Sequence, residues 1–248
     1  MIDHVGLRVA DLEASARFYD TLLAPLGIAR TATADWIVEW DDLAISPPDA
    51  EHPVTTGLHV GFASPSREHV DRAWAAAVEA GYADDGEPGP RQIYGPDYYG
   101  GFLLDPDGNS AEAVHHGTLR EDGNVDHMWI RVADVEASRA FYETIAPHAG
   151  LEFRGVHRDD APLRAQFVCG SGSFSLVEDP EGRGVTKNLH LAFSGSEDDV
   201  RAFHAAAVEA GYRDNGAPGE RPEYHEGYYA AFVLDPDGNN IEVVDHHR

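Results

Sequence analysis

The fold is decided by a stretch that occurs twice: Asp235-Pro236-Asp237-Gly238-Asn239-Asn240-Ile241-Glu242-Val243-Val244, and earlier Asp105-Pro106-Asp107-Gly108-Asn109-Ser110-Ala111-Glu112-Ala113-Val114. In each copy proline fixes φ within a turn, Asp and Asn hydrogen-bond locally, and Gly accepts the left-handed backbone. Apolar residues on both sides of the turn predict a β-hairpin. A glutamate, Glu112 or Glu242, lies in the middle of each returning strand, where an acidic side chain needs either solvent or a cation.

The composition is that of an acidic globular chain. It has 248 residues, a formal net charge of −26, 42% hydrophobic residues and one cysteine, Cys169. Such a negative charge argues against nucleic acid and anionic membranes as partners. No apolar run approaches the roughly 20 residues of a membrane span. A single cysteine excludes an internal disulfide, and Met1 opens directly into a strand pattern, so we expect a cytoplasmic protein.

A long internal repeat predicts two related domains. The stretch Asp3-His4-Val5-Gly6-Leu7-Arg8-Val9-Ala10-Asp11 returns as Asp126-His127-Met128-Trp129-Ile130-Arg131-Val132-Ala133-Asp134, and Leu58-His59-Val60 returns as Leu189-His190-Leu191. The predicted domains are residues 1–117 and 125–248, and a polar linker at 118–124 joins them.

Within each domain the same order of elements occurs twice: a strand, a helix and three further strands. Asp11 and Ser66 are suitable N-caps for helices whose apolar residues recur at helical spacing. In the second module, the three closing strands are expected near 91–94, 98–104 and 110–115. Four βαβββ modules, two per domain, with helices on one face of a mixed sheet predict an α+β fold.

Strand parity selects the candidate metal ligands, because alternate residues of a strand share a face. Each copy offers two histidines and a glutamate: His4, His59 and Glu112 in the first, and His127, His190 and Glu242 in the second. Two imidazoles and one carboxylate with open positions suit non-haem Fe(II), which we favour, and Mn(II), Zn(II) or Ni(II) are alternatives. A lone strand histidine is more often a packing residue, so the interpretation depends on the repetition of the whole set.

Aromatic residues near each glutamate are candidates for catalysis and substrate binding. If Phe102 pairs with Glu112 across the hairpin, Tyr98 shares the same face, and Phe232 and Tyr228 do so in the second copy. A phenol beside a metal can orient a substrate or donate a proton, so both tyrosines are candidate catalytic residues. The alternative is that all four are aromatics packed at the sheet rim.

In each copy an arginine shares a strand face with the first histidine, and in the second copy a tryptophan does so as well. Arg8 and Arg131 are candidates for binding a substrate carboxylate, and the alternative is a structural role at the strand end. Trp129, two residues after His127, replaces Gly6 of the first copy. It is therefore expected to narrow the site that contains His127.

The chain resembles the vicinal oxygen chelate superfamily, which includes glyoxalase I, extradiol dioxygenases, and bleomycin and fosfomycin resistance proteins. The resemblance rests on Asp-His-x-x-x-Arg-Val-Ala-Asp at His4 and His127, on Leu-His at His59 and His190, and on Asp-Pro-Asp-Gly-Asn-x-x-Glu. It covers nearly the whole chain. It implies paired βαβββ modules with curved sheets around a U-shaped, metal-binding cleft. The metal would take ligands from the first strand of each module and the last strand of the second, which implies two sites here.

The resemblance does not single out one reaction. The strands Leu43-Ala44-Ile45-Ser46 and Phe174-Ser175-Leu176-Val177 lack the additional carboxylate of glyoxalase I. The position of the extradiol acid–base His holds approximately Ala44 or Ser175, and that of the Tyr holds Phe102 or Phe232. We expect a three-ligand, metal-dependent enzyme that acts on a small molecule with vicinal oxygens, with an oxygenase and a glyoxalase-like isomerase or lyase as open choices. A drug- or metabolite-binding resistance protein without turnover is the alternative. The expected assembly is a monomer or homodimer.

Overall fold

The computed structural model describes residues 1–118, 120, 122–157, 162–179 and 182–247. The first half of the chain contains β1 (Ile2–Arg8), α1 (Leu12–Leu23), a short 3-10 helix (Ala24–Leu26), β2 (Ala32–Ala34), β3 (Ile37–Trp40), β4 (Leu43–Ser46), β5 (Leu58–Ala63), α2 (Arg67–Glu79), β6 (Ala83–Pro90), β7 (Tyr99–Leu104) and β8 (Ser110–His115). The second half contains β9 (Val125–Arg131), α3 (Val135–Ala149), β10 (Glu152–His157), β11 (Arg164–Cys169), β12 (Gly172–Val177), β13 (His190–Ser194), α4 (Glu197–Glu209), β14 (Arg213–Glu220), β15 (Tyr229–Leu234) and β16 (Asn240–Asp245).

The strands form two eight-stranded sheets, and each sheet takes one module from each half of the chain. The order in one sheet is β14-β15-β16-β13-β1-β4-β3-β2, and in the other it is β10-β11-β12-β9-β5-β8-β7-β6. Antiparallel pairing of β1 with β13, and of β5 with β9, joins the halves. The predicted α+β fold of four βαβββ modules is thereby confirmed. Each sheet crosses the boundary that the repeat places at 118–124.

Alternation along β1 separates the core from the concave face of the sheet. Val5 and Leu7 are completely or almost completely buried, whereas His4 on the opposite face is partly exposed. The helices cover the apolar faces, and α1 packs against α2 as α3 packs against α4. Most of the buried apolar residues form one large cluster that extends through both halves, and a smaller one contains Ala192, Tyr228, Ala230, Phe232 and Val244. None of the helices in the described residues has the length and apolar character that crossing a bilayer requires.

One strand prediction is wrong. The strand expected near 91–94 is found at Ala83–Pro90. Arg91 instead begins a turn, and its backbone N–H donates to the Tyr98 carbonyl at 2.9 Å. The observed strand contains Gly and Pro and no apolar alternation, so its sequence resembles a loop. It forms because it lies at the edge of the sheet, where missing donors and register shifts are tolerated.

The linker predicted at 118–124 contains a buried arginine. Arg120 is 5% exposed, and its Nη1 donates to Asp42 Oδ2 at 2.9 Å and to the Val125 carbonyl at 2.6 Å. Its Nη2 donates to the carbonyl of Ile2 at 3.0 Å. Residues 119 and 121 of the linker lie outside the described residues. Arg120 thus connects strand β1 and the turn before β4 with the start of β9.

Candidate metal centres

The six candidate ligands form two groups, and each group draws on both halves of the chain. The first is His59, Glu112 and His127, and the second is His4, His190 and Glu242; within each, the candidate ligand atoms lie within 4.8 Å of one another. The grouping by sequence copy is therefore wrong. It fails because β5 pairs with β9, and β1 with β13, so each His–Glu pair of one half meets the first histidine of the other. We call the groups the His59 centre and the His4 centre.

In the His59 centre two imidazoles converge on one buried carboxylate. The Nε2 atoms of His59 and His127 lie 3.2 and 3.3 Å from Glu112 Oε2, and 3.3 Å from each other. Glu112 is completely buried. Nδ1 of His127 lies 2.9 Å from Asp126 Oδ2, and Nδ1 of His59 lies 3.0 Å from Ser110 Oγ. These contacts at Nδ1 fix the rings so that both Nε2 atoms face the same point.

The His4 centre repeats this arrangement with greater exposure. Nε2 of His190 lies 2.9 Å from Glu242 Oε2 and 3.0 Å from Nε2 of His4. Nδ1 of His4 lies 2.9 Å from Asp3 Oδ1. The side chains of His4 and His190 are 24% and 26% exposed, against 12% and 8% for His127 and His59. The two centres therefore share donor atoms and differ in access to solvent.

Burial and hydrogen bonding act in opposite directions on the pKa values in the His59 centre. Burial lowers the pKa of His127, but hydrogen bonds to Asp126 and Glu112 outweigh it and raise that pKa to about 10. For His59 burial prevails, and the pKa is lowered. Burial raises the pKa of Glu112, yet hydrogen bonds from His127 and His59 bring it below its ordinary value. The carboxylate is thus ionised and one imidazole carries a proton, whose place a cation can take.

Glycines make room for the His59 centre. A Cβ atom at Gly100 would overlap the carboxylate of Glu112, and one at Gly61 would overlap the imidazole of His127. Because any other residue would displace a ligand, these two positions form a cradle around the donor atoms. The buried carboxylate, the converging nitrogens and this cradle fit a divalent transition-metal ion.

The two candidate tyrosines contact the glutamates directly. The Tyr98 hydroxyl donates to Glu112 Oε1 at 3.0 Å, and the Tyr228 hydroxyl donates to Glu242 Oε1 at 2.6 Å. Burial, reinforced by the neighbouring carboxylate, raises the pKa of both tyrosines far above the usual value. Both phenols are therefore neutral hydrogen-bond donors.

The other predicted substrate-binding residues lie beside the centres. Phe102 pairs with Glu112 in the β7–β8 register, and its ring centroid is 5.9 Å from that of His59; Phe232 is 6.3 Å from His190. Arg131 lies in the cleft of the His59 centre, where its Nη1 donates to the Gly57 carbonyl at 2.8 Å. Arg8 donates to the Pro47 carbonyl at 3.0 Å. Both arginines thus bind backbone carbonyls, and their contact with a substrate stays a prediction.

Sequence reasoning missed the residues that support the candidate ligand histidines. Asp126 accepts hydrogen bonds from both His127 and His116, and Asp3 does the same with His4 and His246. A signal was present in the sequence, since His116 and His246 recur at the same separation as Glu112 and Glu242. His116 and His246 were interpreted instead as polar residues at the frayed end of a strand.

A cleft of about 920 Å³ opens onto the His59 centre. Trp129 lines it, and its ring lies 5.9 Å from that of His59 at an angle of 61°. Its counterpart beside the His4 centre is Gly6, which pairs with His190 across the junction of β1 and β13. The expected bulk of Trp129 beside His127 is therefore present, and it forms one wall of the cleft.

Comparison with known proteins places the whole chain in one family. A profile described as "Glyoxalase/Bleomycin resistance protein/Dioxygenase superfamily" matches residues 1–113 and 124–243. Among solved structures, glyoxalase I from Zea mays is 18% identical with a TM-score of 0.70, and the match covers 99% of this chain and 92% of that one. A search of curated proteins finds no match.

Two further solved structures are similar over different shares of the chain. A glyoxalase/bleomycin resistance protein from Albidiferax ferrireducens is 35% identical over 47% of this chain and 99% of its own, with a TM-score of 0.43. A mutant of homoprotocatechuate 2,3-dioxygenase from Brevibacterium fuscum is 19% identical over 98% of this chain and 70% of its own, with a TM-score of 0.42. The two matched segments of the family profile together span nearly all of the sequence, and the chain belongs to the glyoxalase/bleomycin resistance protein/dioxygenase superfamily.

Proposed function

We propose that the protein is a divalent-metal-dependent enzyme that acts on a small molecule with two adjacent oxygen atoms. The observation that carries this proposal is the convergence of two Nε2 atoms on one buried carboxylate in each of two centres. A buried glutamate without a cation would be costly, and imidazole pairs at this distance repel when both are protonated. Family membership supports the proposal, because the family description includes glyoxalases and dioxygenases.

The ligands proposed for the His59 centre are His59, Glu112 and His127, and those for the His4 centre are His4, His190 and Glu242. Two histidines and one carboxylate leave coordination positions open, a set that favours Fe(II), with Mn(II), Zn(II) and Ni(II) as alternatives. Such an ion, when bound, supplies Lewis acidity toward paired oxygens and, as Fe(II), reactivity with O₂.

The surrounding side chains orient the ligands and the substrate. Tyr98 holds the Glu112 carboxylate, and its hydroxyl also lies 3.4 Å from Nε2 of His127, within reach of the point where the ligands converge. We assign Tyr98, and Tyr228 at the other centre, as the groups that hold a proton beside the substrate. Phe102 and Trp129 line the cleft and are placed to flank the substrate. The cytoplasmic location and the monomeric or homodimeric state stay predictions.

Metal analysis tests the proposed function. Protein purified without chelator is expected to contain up to two divalent ions per chain, one for each group of ligands. After removal with a chelator, the ions should return when Fe(II), Mn(II), Zn(II) or Ni(II) is added. Inductively coupled plasma mass spectrometry gives the stoichiometry, and an oxygen electrode with molecules bearing vicinal oxygens separates an oxygenase from an isomerase or lyase. A chain that takes up none of these metals would contradict the proposal.

The support of the ligand histidines gives a second test. Asp126→Asn should weaken metal binding at the His59 centre about 10- to 100-fold, because the carboxylate that orients His127 and raises its basicity is lost. Competition with a chromogenic chelator measures the affinity. Asp49→Asn is a matched control, since Asp49 also contacts a histidine Nδ1, that of His52, but on the exposed surface. Equal affinities for the two variants would show that Asp126 has no such role.

A further inference from the structure

The cleft of the His59 centre is lined by an unusual number of arginines for so acidic a chain. The protein has 18 lysines and arginines and a formal net charge of −26. Among the described residues, five arginines line this one cleft: Arg91, Arg131, Arg154, Arg164 and Arg183. Four carboxylates line it as well, and two of them, Glu112 and Asp126, belong to the centre itself. The remaining surface of the cleft is therefore basic.

Most of these arginines have polar partners. Arg183 makes two hydrogen bonds of 2.8 Å to the carboxylate of Asp85. Arg91 donates to the Glu87 carbonyl at 2.9 Å, and Arg154 lies 3.1 Å from the exposed Glu152.

Arg164 differs from the others. Its guanidinium lies over two aromatic rings, with Cζ 5.7 Å from the Tyr94 centroid and 5.8 Å from the Trp129 centroid. Within the part of the chain that the structure describes, the Arg164 side chain contacts no carboxylate, and the described contacts of its guanidinium are with these rings. A guanidinium stacked on aromatic faces keeps its in-plane donors available for a planar anion.

The position of Arg164 relates it to the metal ligands. Trp129 pairs with His59 across β5 and β9, and its ring is 5.9 Å from that ligand. The Arg164 guanidinium lies at a similar distance, 5.8 Å, from the centre of the same Trp129 ring. A small molecule held by the ligands of the His59 centre and lying along Trp129 would thus place its far end at Arg164.

The His4 centre has no equivalent of this arrangement. On the matching strands, Ala44 pairs with Gly6 and Glu39, whereas Ser175 pairs with Trp129 and Gln166. Counting two residues back along each strand places Ile37 where the His59 centre has Arg164. Repetition of an ancestral module therefore does not account for Arg164 and Trp129, and the difference is specific to one centre.

We propose that Arg164 and Trp129 form an anion subsite, and that the His59 centre acts on a planar substrate with a carboxylate opposite its vicinal oxygens. This inference rests on the proposed function, since it places the vicinal oxygens at the metal ligands. Arg164 binds the carboxylate through its in-plane N–H donors, and Trp129 supports the body of the substrate. The His4 centre, with Gly6 in place of Trp129 and Ile37 in place of Arg164, does not select for an anion.

Binding of two matched probes to the Zn(II)-loaded protein tests the inference. The probes are 3,4-dihydroxybenzoate and its neutral isostere 3,4-dihydroxybenzamide, and isothermal titration calorimetry measures each Kd. The protein should bind the carboxylate at least about tenfold more tightly, as expected of hydrogen bonds to a charged group. Arg164→Gln should abolish this preference and leave the Kd of the amide unchanged. Arg201→Gln is the matched control, because Arg201 also lies over a tyrosine ring, that of Tyr229, and does not line the cleft.

The zinc content of each sample, measured first, separates the two proposals. If Zn(II) does not bind, the same titrations are made with Mn(II), Ni(II) or Fe(II) under exclusion of oxygen, and a protein that takes up none of the four contradicts the proposed function. In a metal-loaded protein, equal affinity for the two probes, binding of neither, or a preference that survives Arg164→Gln would overturn the anion subsite. Equal weakening of both probes by Arg164→Gln would also overturn it, since the arginine would then only support the wall of the cleft.

Discussion

Glu112→Gln is expected to remove one bound metal ion per chain and leave the other in place. Glu112 is the carboxylate that both His59 and His127 contact, and glutamine preserves its size while removing the charge. The ion at the His4 centre, held through Glu242, should remain. Inductively coupled plasma mass spectrometry of the variant measures the loss, and Glu242→Gln provides the matched control for the other centre.

A second substitution then shows which histidine shares a centre with Glu112. Adding His127→Ala to Glu112→Gln should cost no further metal, because both residues serve the His59 centre. Adding His4→Ala instead should remove the remaining ion. The opposite pattern would mean that ligands group by sequence copy, and that the exchanged pairing of the sheets does not exist in solution.

Arg120→Met is expected to destabilise the protein by about 3–5 kcal/mol, because it leaves the carboxylate of Asp42 buried without its partner. Burial already raises the pKa of Asp42, and the adjacent guanidinium opposes that rise. The substitution also removes donors from the carbonyls of Ile2 and Val125. Chemical denaturation followed by circular dichroism measures the change in the free energy of unfolding.

The double variant Arg120→Met/Asp42→Leu should recover much of the lost stability, since apolar groups of similar size replace both charges. Arg30→Met is the control: Arg30 pairs with the partly exposed Asp20, and losing a surface pair should cost at most about 1 kcal/mol. If Arg120→Met cost no more than Arg30→Met, the linker arginine would not hold the halves together.

The sequence predicted the elements well because the signals for them are local. The turn at Asp105 to Asn109 and the cap at Asp11 depend on residues that are neighbours in the chain, and they form as expected. Helix α2 also begins after Ser66 as expected, but the Ser66 side chain makes no capping hydrogen bond. The strand at Ala83–Pro90 was not predicted because its sequence has no apolar alternation, and it forms through its pairing with β7. A strand's position at the edge of a sheet depends on the order of all the strands, so it cannot be read from a short segment of sequence.

The members of the two candidate centres could be predicted from the sequence, and their grouping could not. Strand parity places His59 and Glu112 on one face, and it does the same for His190 and Glu242, from residue types and alternation alone. Whether β5 pairs with β9 or with β1 depends on contacts between distant parts of the chain. The sequence repeat favours neither, since both pairings bring equivalent strands together. Arg120 was missed for the same reason, because a charged residue in a polar stretch gives no sign of the buried Asp42 it meets.

The junctions of β1 with β13 and of β5 with β9 have a consequence for biosynthesis. A ribosome delivers the chain from its amino end, and the first half alone contains three of the six ligands without a complete set for either centre. The His59 centre can assemble only after His127 has emerged, and the His4 centre only after Glu242 has emerged. Neither candidate centre is therefore complete on the first half of the chain alone, and a product that ends before Glu242 has no complete His4 centre.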